Sequence, residues 1–480
     1  MAAPIVVAGA GPVGLLLAGE LRLGGADVVV VDRLTEPTGE SRASTLHART
    51  MELFDQRGLL APLGVPPNDP AGHFGGIRMS LAGLPSPYPG QWKVPQTRTE
   101  ALLAEWARGL GADLRRGHEL TGLTDHGDHV EVELATPDGP ARLRAAYLAG
   151  CDGERSTVAR LAGFAFSGER ADKEMLRADV AGIDIPDRRF ERFPAGLAVA
   201  GRRPGGVTRV MVHEFGRPVG NRAGEPEFAE VAQVWRRVTG EDIGGGTPLW
   251  VNAFDNTSRQ AARYRLGRVF LAGDAAHAQM PVGGQALNLG LQDAVNLGWK
   301  LAAAVAGWAP AGLLDSYHAE RHEVGARVLA NIRAQALVLL GGGEVEPVRG
   351  VFAELLQYEA VRARLGAAVS GLDVRYDVGP GVHPLLGARI PPEATRPGSA
   401  SLLRPARGVL LDLTAGRWAD AAGPWADRVD TVSAEPVPEG PLAGTEAVLV
   451  RPDGHVGWVA GDGTGVESAL RRWFGAEGSG

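Results

Sequence analysis

Cysteine is nearly absent: Cys151 is the only one in 480 residues. A single thiol excludes an intrachain disulfide and a Cys-x-x-Cys redox or zinc pair, and a reducing cytoplasm is the default compartment. A basic excess is also lacking. The chain has 49 Lys and Arg against 56 Asp and Glu, a formal charge of −7, with no block of five or more cations. There is no electrostatic footprint for a phosphate backbone, so nucleic acid is not expected as a partner. Nor is there a long unbroken apolar run. Residues 1–19 carry no charge, but no Lys or Arg precedes the apolar stretch, and Pro4, Gly9, Gly11, Pro12 and Gly14 break it; Pro310 interrupts residues 301–314. Neither stretch makes a secretory signal or the roughly 20-residue apolar span of a membrane helix. His318 and His322 are four apart, as metal ligands can be, yet Glu320 and Arg321 between them read as an ordinary polar helix face, and no metal is expected.

The length allows two or three domains, each able to bury a core. Gly (68) and Pro (33) make up about a fifth of the residues, short of the roughly 25–30 % of low-complexity chains, so the protein is globular with many tight turns. The first motif comes early. Ile5-Val6-Val7-Ala8 reads as a strand buried on both faces, and it runs into Gly9-Ala10-Gly11-Pro12-Val13-Gly14. A helical stretch to Leu23, a stop at Gly24-Gly25 and a second apolar strand ending in Asp32 complete a βαβ unit. Its glycines permit a tight turn and let the backbone approach a pyrophosphate at the helix N-terminus, where free N–H groups and the helix dipole favour anions. Asp32 is placed to accept hydrogen bonds from a ribose diol. The unit predicts a dinucleotide site, with NAD(P) and FAD both open.

Two further motifs join an acid to a glycine at the end of a strand. Ala146-Tyr147-Leu148-Ala149-Gly150-Cys151-Asp152-Gly153 is followed by a helix start, and its bland reading is an Asp/Ser cap. Arg268-Val269-Phe270-Leu271-Ala272-Gly273-Asp274 repeats the logic where open α/β sheets bind ligands, and Asp274 is placed to accept bonds from flavin ribityl hydroxyls. Beyond the loop Met280-Pro281-Val282-Gly283-Gly284, a helix is predicted from Gln285 to about Ala306 with only Asp293 and Lys300 charged. Such a helix is nearly all buried. Its N-terminal N–H groups would face a flavin's pyrimidine edge, which gains negative charge on reduction.

These three motifs, in this order, resemble the signature of class A FAD-dependent aromatic hydroxylases of the p-hydroxybenzoate hydroxylase type. The likeness spans the chain and is greatest to bacterial angucycline-type aromatic-polyketide hydroxylases, with further matches at Gly39-Glu40-Ser41-Arg42, Gly72-His73-Phe74-Gly75-Gly76, Val94-Pro95-Gln96 and Arg451-Pro452-Asp453-Gly454-His455. The resemblance implies an α/β fold: a Rossmann-like FAD-binding domain, an inserted antiparallel β-sheet substrate domain and a C-terminal thioredoxin-like α/β domain. It implies FAD as cofactor, NADPH or NADH as reductant, O2 as co-substrate, and a polycyclic, angucyclinone-like aromatic polyketide hydroxylated through a flavin C4a-hydroperoxide. By the same likeness Asp32 and Arg33 hold the adenosine ribose, Arg42 the diphosphate, and Gln96 a phosphate or ribityl oxygen. Asp152 helps to place the segment shared by FAD and nicotinamide, Gly273 and Asp274 serve the diphosphate–ribityl region, and Pro281, Gly284, Leu287 and Asn288 line the isoalloxazine. Ala286 stands where the family commonly has Gly. No catalytic side chain is assigned, because the flavin carries the chemistry.

The expected organisation is an FAD-binding part over 1–175 with a substrate-domain excursion near 70–97, a substrate sheet over 176–265, the second FAD-binding part with long helices over 266–388, and the C-terminal domain over 389–480. Alternation at Thr208-Arg209-Val210-Met211-Val212-His213-Glu214-Phe215 predicts a strand whose Arg209, Met211, His213 and Phe215 face the pocket. His73, Phe74, Met211, His213 and Met280 are thus the substrate candidates. The C-terminal domain has no cysteine and cannot perform dithiol chemistry; a structural role, or one in homo-oligomer contacts, is expected. The competing readings are an NAD(P)-dependent Rossmann dehydrogenase, which would be colourless, and a flavin-bound protein without turnover.

Overall fold

The computed structural model describes residues 3–39, 43–203, 205–220, 224–392 and 398–478; Arg42 lies outside them. At the centre is a six-stranded sheet in the order Arg265–Leu266, Val269–Leu271, Tyr147–Gly150, Ile5–Ala8, Val28–Asp32, Asp113–Arg116. All its pairings are parallel except that of the short edge strand Arg265–Leu266. Covering elements explain the unbroken apolar runs: Leu15, Leu16 and Leu21 of the helix Pro12–Leu23 and Val130, Val132 and Leu134 of a three-stranded antiparallel sheet share one core with Ile5, Val6 and Val7. The helix Gln285–Val305 packs along Pro12–Leu23 and contributes Leu291, Val295 and Leu301 to that core.

A five-stranded antiparallel sheet stands beside this domain in the order Arg188–Phe193, Gly196–Arg203, Val207–Glu214, Glu174–Ala181, Thr247–Asp255. Period-two alternation sends Ala178, Ala198, Val210 and Val212 to one face, where they bury Trp235 and Val231 of the helix Phe228–Thr239. The opposite face overlooks the loop 280–284. Short strands Ala71–Phe74 and Ile77–Ser80 pair as a hairpin, and Phe74 stacks on Phe352 with ring centroids 5.5 Å apart. The helix Leu313–Leu340 runs under both sheets. Among the described residues no single helix is long and apolar enough to cross a membrane.

The C-terminal sheet has the order Val429–Ser433, Gly408–Asp412, Ala447–Val450, Val456–Val459, and the helix Val466–Phe474 follows it. The first pair is parallel and the other two are antiparallel, as in a thioredoxin core. The parallel crossover holds only the turn Gly423–Trp425 in place of a full helix. The proline-marked segment near Ile390 does not divide the packing. The Ile390 N–H donates to the Gly454 carbonyl, and Trp299 and Ala303 of the helix Gln285–Val305 share a core with Leu410, Leu449 and Phe474.

Buried charges also tie the parts together. Arg57 pairs in two-pronged fashion with Glu20 at 2.6 and 2.9 Å and donates to the carbonyls of Leu403 and Pro452. Arg451 donates to both Glu320 oxygens at 2.6 and 2.8 Å and to Asp453, while Lys300 reaches Glu320 at 2.8 Å. Arg451 and Lys300 hold Glu320 below the usual carboxylate range against the pull of burial.

Candidate functional site

The three motifs converge on the first glycine turn, the second at Gly9 and Gly14 and the third, with the helix after it, at Val13. Side chains added at Gly273 and at Gly290 would meet Val13 at 3.0 and 2.8 Å. Two glycines of the first loop are dictated by close approach. At Gly9, with φ +105°, a Cβ would lie 2.4 Å from the Cys151 carbonyl oxygen; at Gly14 it would lie 2.0 Å from the Gly9 oxygen. Gly11 differs: nothing lies within 4 Å of its Cβ direction, so this turn is open to a ligand. Pro12 opens the helix at its first turn, where a missing N–H is harmless. Asp32 braces the loop, accepting from the Ala10 N–H at 2.7 Å and the Leu34 N–H at 2.8 Å. Each oxygen then has capacity left for a further donor. Arg33 is exposed beside it, and Gln96 accepts from the Ala43 N–H at 3.2 Å.

Ser156 caps the helix Thr157–Leu161, its hydroxyl accepting from the Ala159 N–H at 2.9 Å, and Asp152 braces that cap, as the Asp/Ser cap reading describes. Asp152 accepts from the Ser156 hydroxyl at 2.5 Å and the Val158 N–H at 3.1 Å, behind the glycine turn. Burial pushes its carboxyl above the usual range. Asp274 is exposed on the turn Gly273–Ala275, which is anchored by Asp293: the Gly273 N–H donates to Asp293 at 3.0 Å, His277 Nε2 lies at 2.7 Å and Arg321 Nε at 2.6 Å. The sequence reading gave Asp293 and Arg321 no site role, although an acid on a nearly buried helix is a signal that a partner must exist.

Gly284 caps the helix Gln285–Val305 in the left-handed region, φ 69°, with no side-chain hydrogen bond, leaving first-turn N–H groups for a ligand. Asn288 departs from its expected place. Its amide donates to the carbonyls of Gly284 (2.8 Å) and Thr45 (3.0 Å), and its oxygen accepts from the His47 N–H (2.8 Å) and Thr50 hydroxyl (2.7 Å). With all four valences used, its side chain holds the loop from behind and does not line the cleft.

Between that loop and the five-stranded antiparallel sheet, the roof sheet of the site, lies a cleft of about 350 Å³, within the range of small-molecule sites. Pro281, Gly284, Ala286 and Leu287 form one wall, and Met211, Met280 and His73 join them. His73 packs on Phe190 with centroids 4.5 Å apart, and burial lowers its pKa to about 4, so it is neutral. Two substrate candidates lie elsewhere. Phe74 is turned into the cluster around Phe352 because residues 73 and 74 alternate across the hairpin. His213 shares the strand face of Met211 but sits beyond the cleft, its ring nitrogens 2.7 and 3.1 Å from the carbonyls of Glu174 and Leu340. The cleft also holds Arg177, Arg203 and Phe254, which the sequence did not single out. Pairing of the strand Glu174–Ala181 with Val207–Glu214 on one side and Thr247–Asp255 on the other places Arg177 and Phe254 there, and a local pattern does not contain that register. His318 and His322 pack around Tyr264, and no three His, Cys, Asp or Glu side chains among the described residues converge on a metal-sized site.

Residues 2–332 match the family described as FAD binding domain, and residues 383–477 match the aromatic-ring hydroxylase C-terminal family. The chain belongs to the FAD-dependent aromatic-ring hydroxylases. The hydroxylase is 44 % identical, over 98 % of both chains, to a 12-dehydrotetracycline 5-monooxygenase/anhydrotetracycline 6-monooxygenase of Streptomyces rimosus. A rifampicin monooxygenase of Streptomyces venezuelae is also 44 % identical, with 98 % of each chain covered. Among solved structures, CabE, an aromatic hydroxylase from angucycline biosynthesis, is 50 % identical with a TM-score of 0.95, covering 99 % of this chain and 100 % of that one. This membership sets aside the nicotinamide-only dehydrogenase and the flavoprotein without turnover. The hydroxylase's residues fit an FAD: an open glycine turn at Gly11, a half-buried carboxylate beside it, and an uncapped helix start facing a cleft of ligand size.

Proposed function

We propose that the hydroxylase inserts one oxygen atom of O2 into a polycyclic, angucyclinone-like aromatic polyketide in the cytoplasm, with NADPH or NADH as reductant. The observation that carries this reading is the cleft itself, a slot between the 280–284 loop and the flat inner face of the roof sheet, with Met175, Met211, Met280 and Phe254 as apolar walls. Bound FAD supplies reduction and oxygen activation, and the protein contributes binding, orientation and exclusion of water. The Gly9, Gly11 and Gly14 turn is suited to the pyrophosphate, Asp32 and Arg33 to the adenosine ribose, and Gln96 to a phosphate or ribityl oxygen, while the family resemblance gives the diphosphate to Arg42. Gly273 and Asp274 suit the diphosphate–ribityl region, and Pro281, Gly284 and Leu287 the ring system. The free N–H groups at Gln285 favour negative charge on the ring edge they face. The methionine and phenylalanine walls keep water from the reacting edge, and His73, neutral at ordinary pH, offers a hydrogen bond without a charge.

Mass spectrometry with labelled oxygen tests the reading. A polycyclic phenol turned over with NADPH under ¹⁸O₂ is expected to gain one labelled hydroxyl. Label arriving from H₂¹⁸O would sink the monooxygenase assignment even in a yellow protein that consumes NADPH.

A further inference from the structure

The inner face of the roof sheet changes character along its length. At the end nearest the 280–284 loop, Met175, Met211 and Phe254 pack with Met280 and Val282. Two residues further along the same strands, Arg177 follows Met175 and Arg209 precedes Met211, while Arg203 enters from the adjacent strand Gly196–Arg203. All three arginines line the cleft. Met175 and Asp179, which pairs across to Arg209, are four residues apart on one strand, about 13 Å at roughly 3.3 Å per residue. This face of the sheet therefore has an apolar end beside the cofactor loop and a cationic end remote from it.

The cations are not equivalent. Arg209 is engaged with Asp179 through two bonds of 2.6 Å. Arg177 donates to Asn252 at 3.0 Å and lies over the Trp250 and Phe254 rings at 4.6 and 5.2 Å. Arg189, on the edge strand Arg188–Phe193 of the same sheet, pairs with Asp69 at 3.2 Å, and Lys93 donates to Gln91 at 2.9 Å. Arg203 alone of these five has no hydrogen bond or ion pair among the described residues. It is half-buried, and burial together with Arg209 works against its charge, with only partial relief from Asp179. A desolvated guanidinium beside a like charge, without a carboxylate of its own, is matched by an anion brought from outside.

Resting on the hydroxylase reading of this cleft, we infer that Arg203 recognises an ionised oxygen pair, either a carboxylate or an ionised vinylogous acid, at the end of the polycyclic substrate remote from the flavin. The reacting ring then lies among Met175, Met211 and Phe254. The substrate class is narrowed to elongated, amphiphilic polycycles with one acidic end.

The test titrates the flavin-loaded protein with two matched pairs: anthraquinone-2-carboxylate against its methyl ester, and 2-hydroxy-1,4-naphthoquinone against its methyl ether. Perturbation of the flavin absorbance reads binding. For at least one pair the anion is expected to bind about 10- to 150-fold tighter than its neutral partner, as a charge-assisted hydrogen bond would give; the pair that shows it identifies the acid. Arg203→Ala should bring that ratio close to one, and Arg203→Lys should keep part of it. Arg203 supports no neighbour, so both variants are expected to fold and load FAD. Ratios near one for both pairs in the unsubstituted protein overturn the inference. So does an Arg203→Ala variant that weakens acid and ester alike, or one that raises KM for NADPH with the ratio intact, which would give Arg203 to the nicotinamide cofactor. Labelled-oxygen incorporation into a neutral polycycle separates the two claims. Incorporation with ratios near one removes the anion site and keeps the monooxygenase; a clear ratio without incorporation does the reverse.

Discussion

The helix Pro12–Leu23 is held by opposite means at its two ends. At its start, Gly9 and Gly14 leave no room for side chains, and Gly11 leaves space unfilled. Near its end, Glu20 is gripped by Arg57, whose remaining N–H groups reach the carbonyls of Leu403 and Pro452 in the C-terminal region. One end works by missing side chains and binds a ligand; the other works by large charged ones, all satisfied, and binds the rest of the protein. The difference is one of scope. A fault in the glycine turn should be felt locally, and a fault among the buried charges everywhere.

The sharpest test of that scope is Arg451→Ala. It leaves Glu320 and Asp453 as buried carboxylates that have lost their main partner, at a cost of about 3–5 kcal/mol. A large fall in thermal midpoint, together with loss of flavin from a site far from the substitution, is the expected outcome. Ending the chain at residue 388 should be worse still, because Arg57 and Trp299 would lose their C-terminal partners. A soluble truncated protein that keeps its FAD would break the comparison, and would agree with the sequence-based expectation of a structural or homo-oligomer role that leaves the flavin in place.

Acid probes buried groups without mutation, in that cluster and beside the cleft. Burial lowers His455 to about 3, and His47 and His73 to about 4, so all three are neutral in the folded protein at pH 5. The unfolded chain takes up those protons near pH 6.5. Their contribution to stability is therefore complete above that value and is lost as pH falls toward 4 and 3. Glu320, depressed by Arg451 and Lys300, slopes the same way over a lower range, from the ordinary glutamate value downward. Each proton taken up on unfolding contributes up to about 1.4 kcal/mol per pH unit. Thermal midpoints from pH 8 to pH 4 should be flat and then fall below about 6.5. A flat profile down to pH 4 would mean that these histidines are not buried in solution.

Within the glycine turn the two demands can be separated. Gly14→Ala forces a methyl to 2.0 Å from the Gly9 oxygen and should destabilise the apoprotein by about 1–3 kcal/mol as overpacking does. Gly11→Ala meets nothing and has an ordinary φ of −77°, so stability should hold within about 0.5 kcal/mol while FAD affinity falls. Asp32→Ala should also act mainly on FAD, by about 10- to 150-fold, through a lost charge-assisted bond. Differential scanning calorimetry of the apoproteins, set beside FAD titrations, distinguishes the outcomes. Equal destabilisation by the two alanines would show that Gly11 is packed rather than open.

The same contrast explains what the sequence made legible. The turn was readable because a missing side chain is visible in the letters, and Gly9, Gly14 and Asp32 sit within one local unit. Even the helix of Gln285 could be placed to within a residue or so at each end, since it is long and apolar. Arg203 was not readable, because its place in the cleft follows from pairing with Val207 across a turn and from the stacking of the sheet over a loop eighty residues away. His213 shows the limit of periodicity: alternation gave its face correctly but not its distance along the strand, and it lies beyond the cleft's end. Asp453 lay in a motif that was noticed, with Arg451 two residues away, yet Asn296 and the Glu320 that shares that arginine meet them only in the fold.

The smallest expected effect concerns Ala286, at the second position of the long helix, where its methyl lines the cleft. Ala286→Gly removes a good helix former from the first turn, at less than about 1 kcal/mol, because the interior penalty for glycine is an upper bound there. It also removes one methyl from the cleft wall. A buried methyl against a bound ring is worth about 0.8 kcal/mol, or roughly fourfold in affinity. The variant should therefore fold and load FAD normally, and should bind anthraquinone-2-carboxylate and its methyl ester each about fourfold more weakly, with their ratio unchanged. That shared loss sets it apart from Arg203→Ala, which acts on the acid alone. Tighter binding of both probes would mean instead that the methyl narrows the slot, and Ala286 would then act by exclusion.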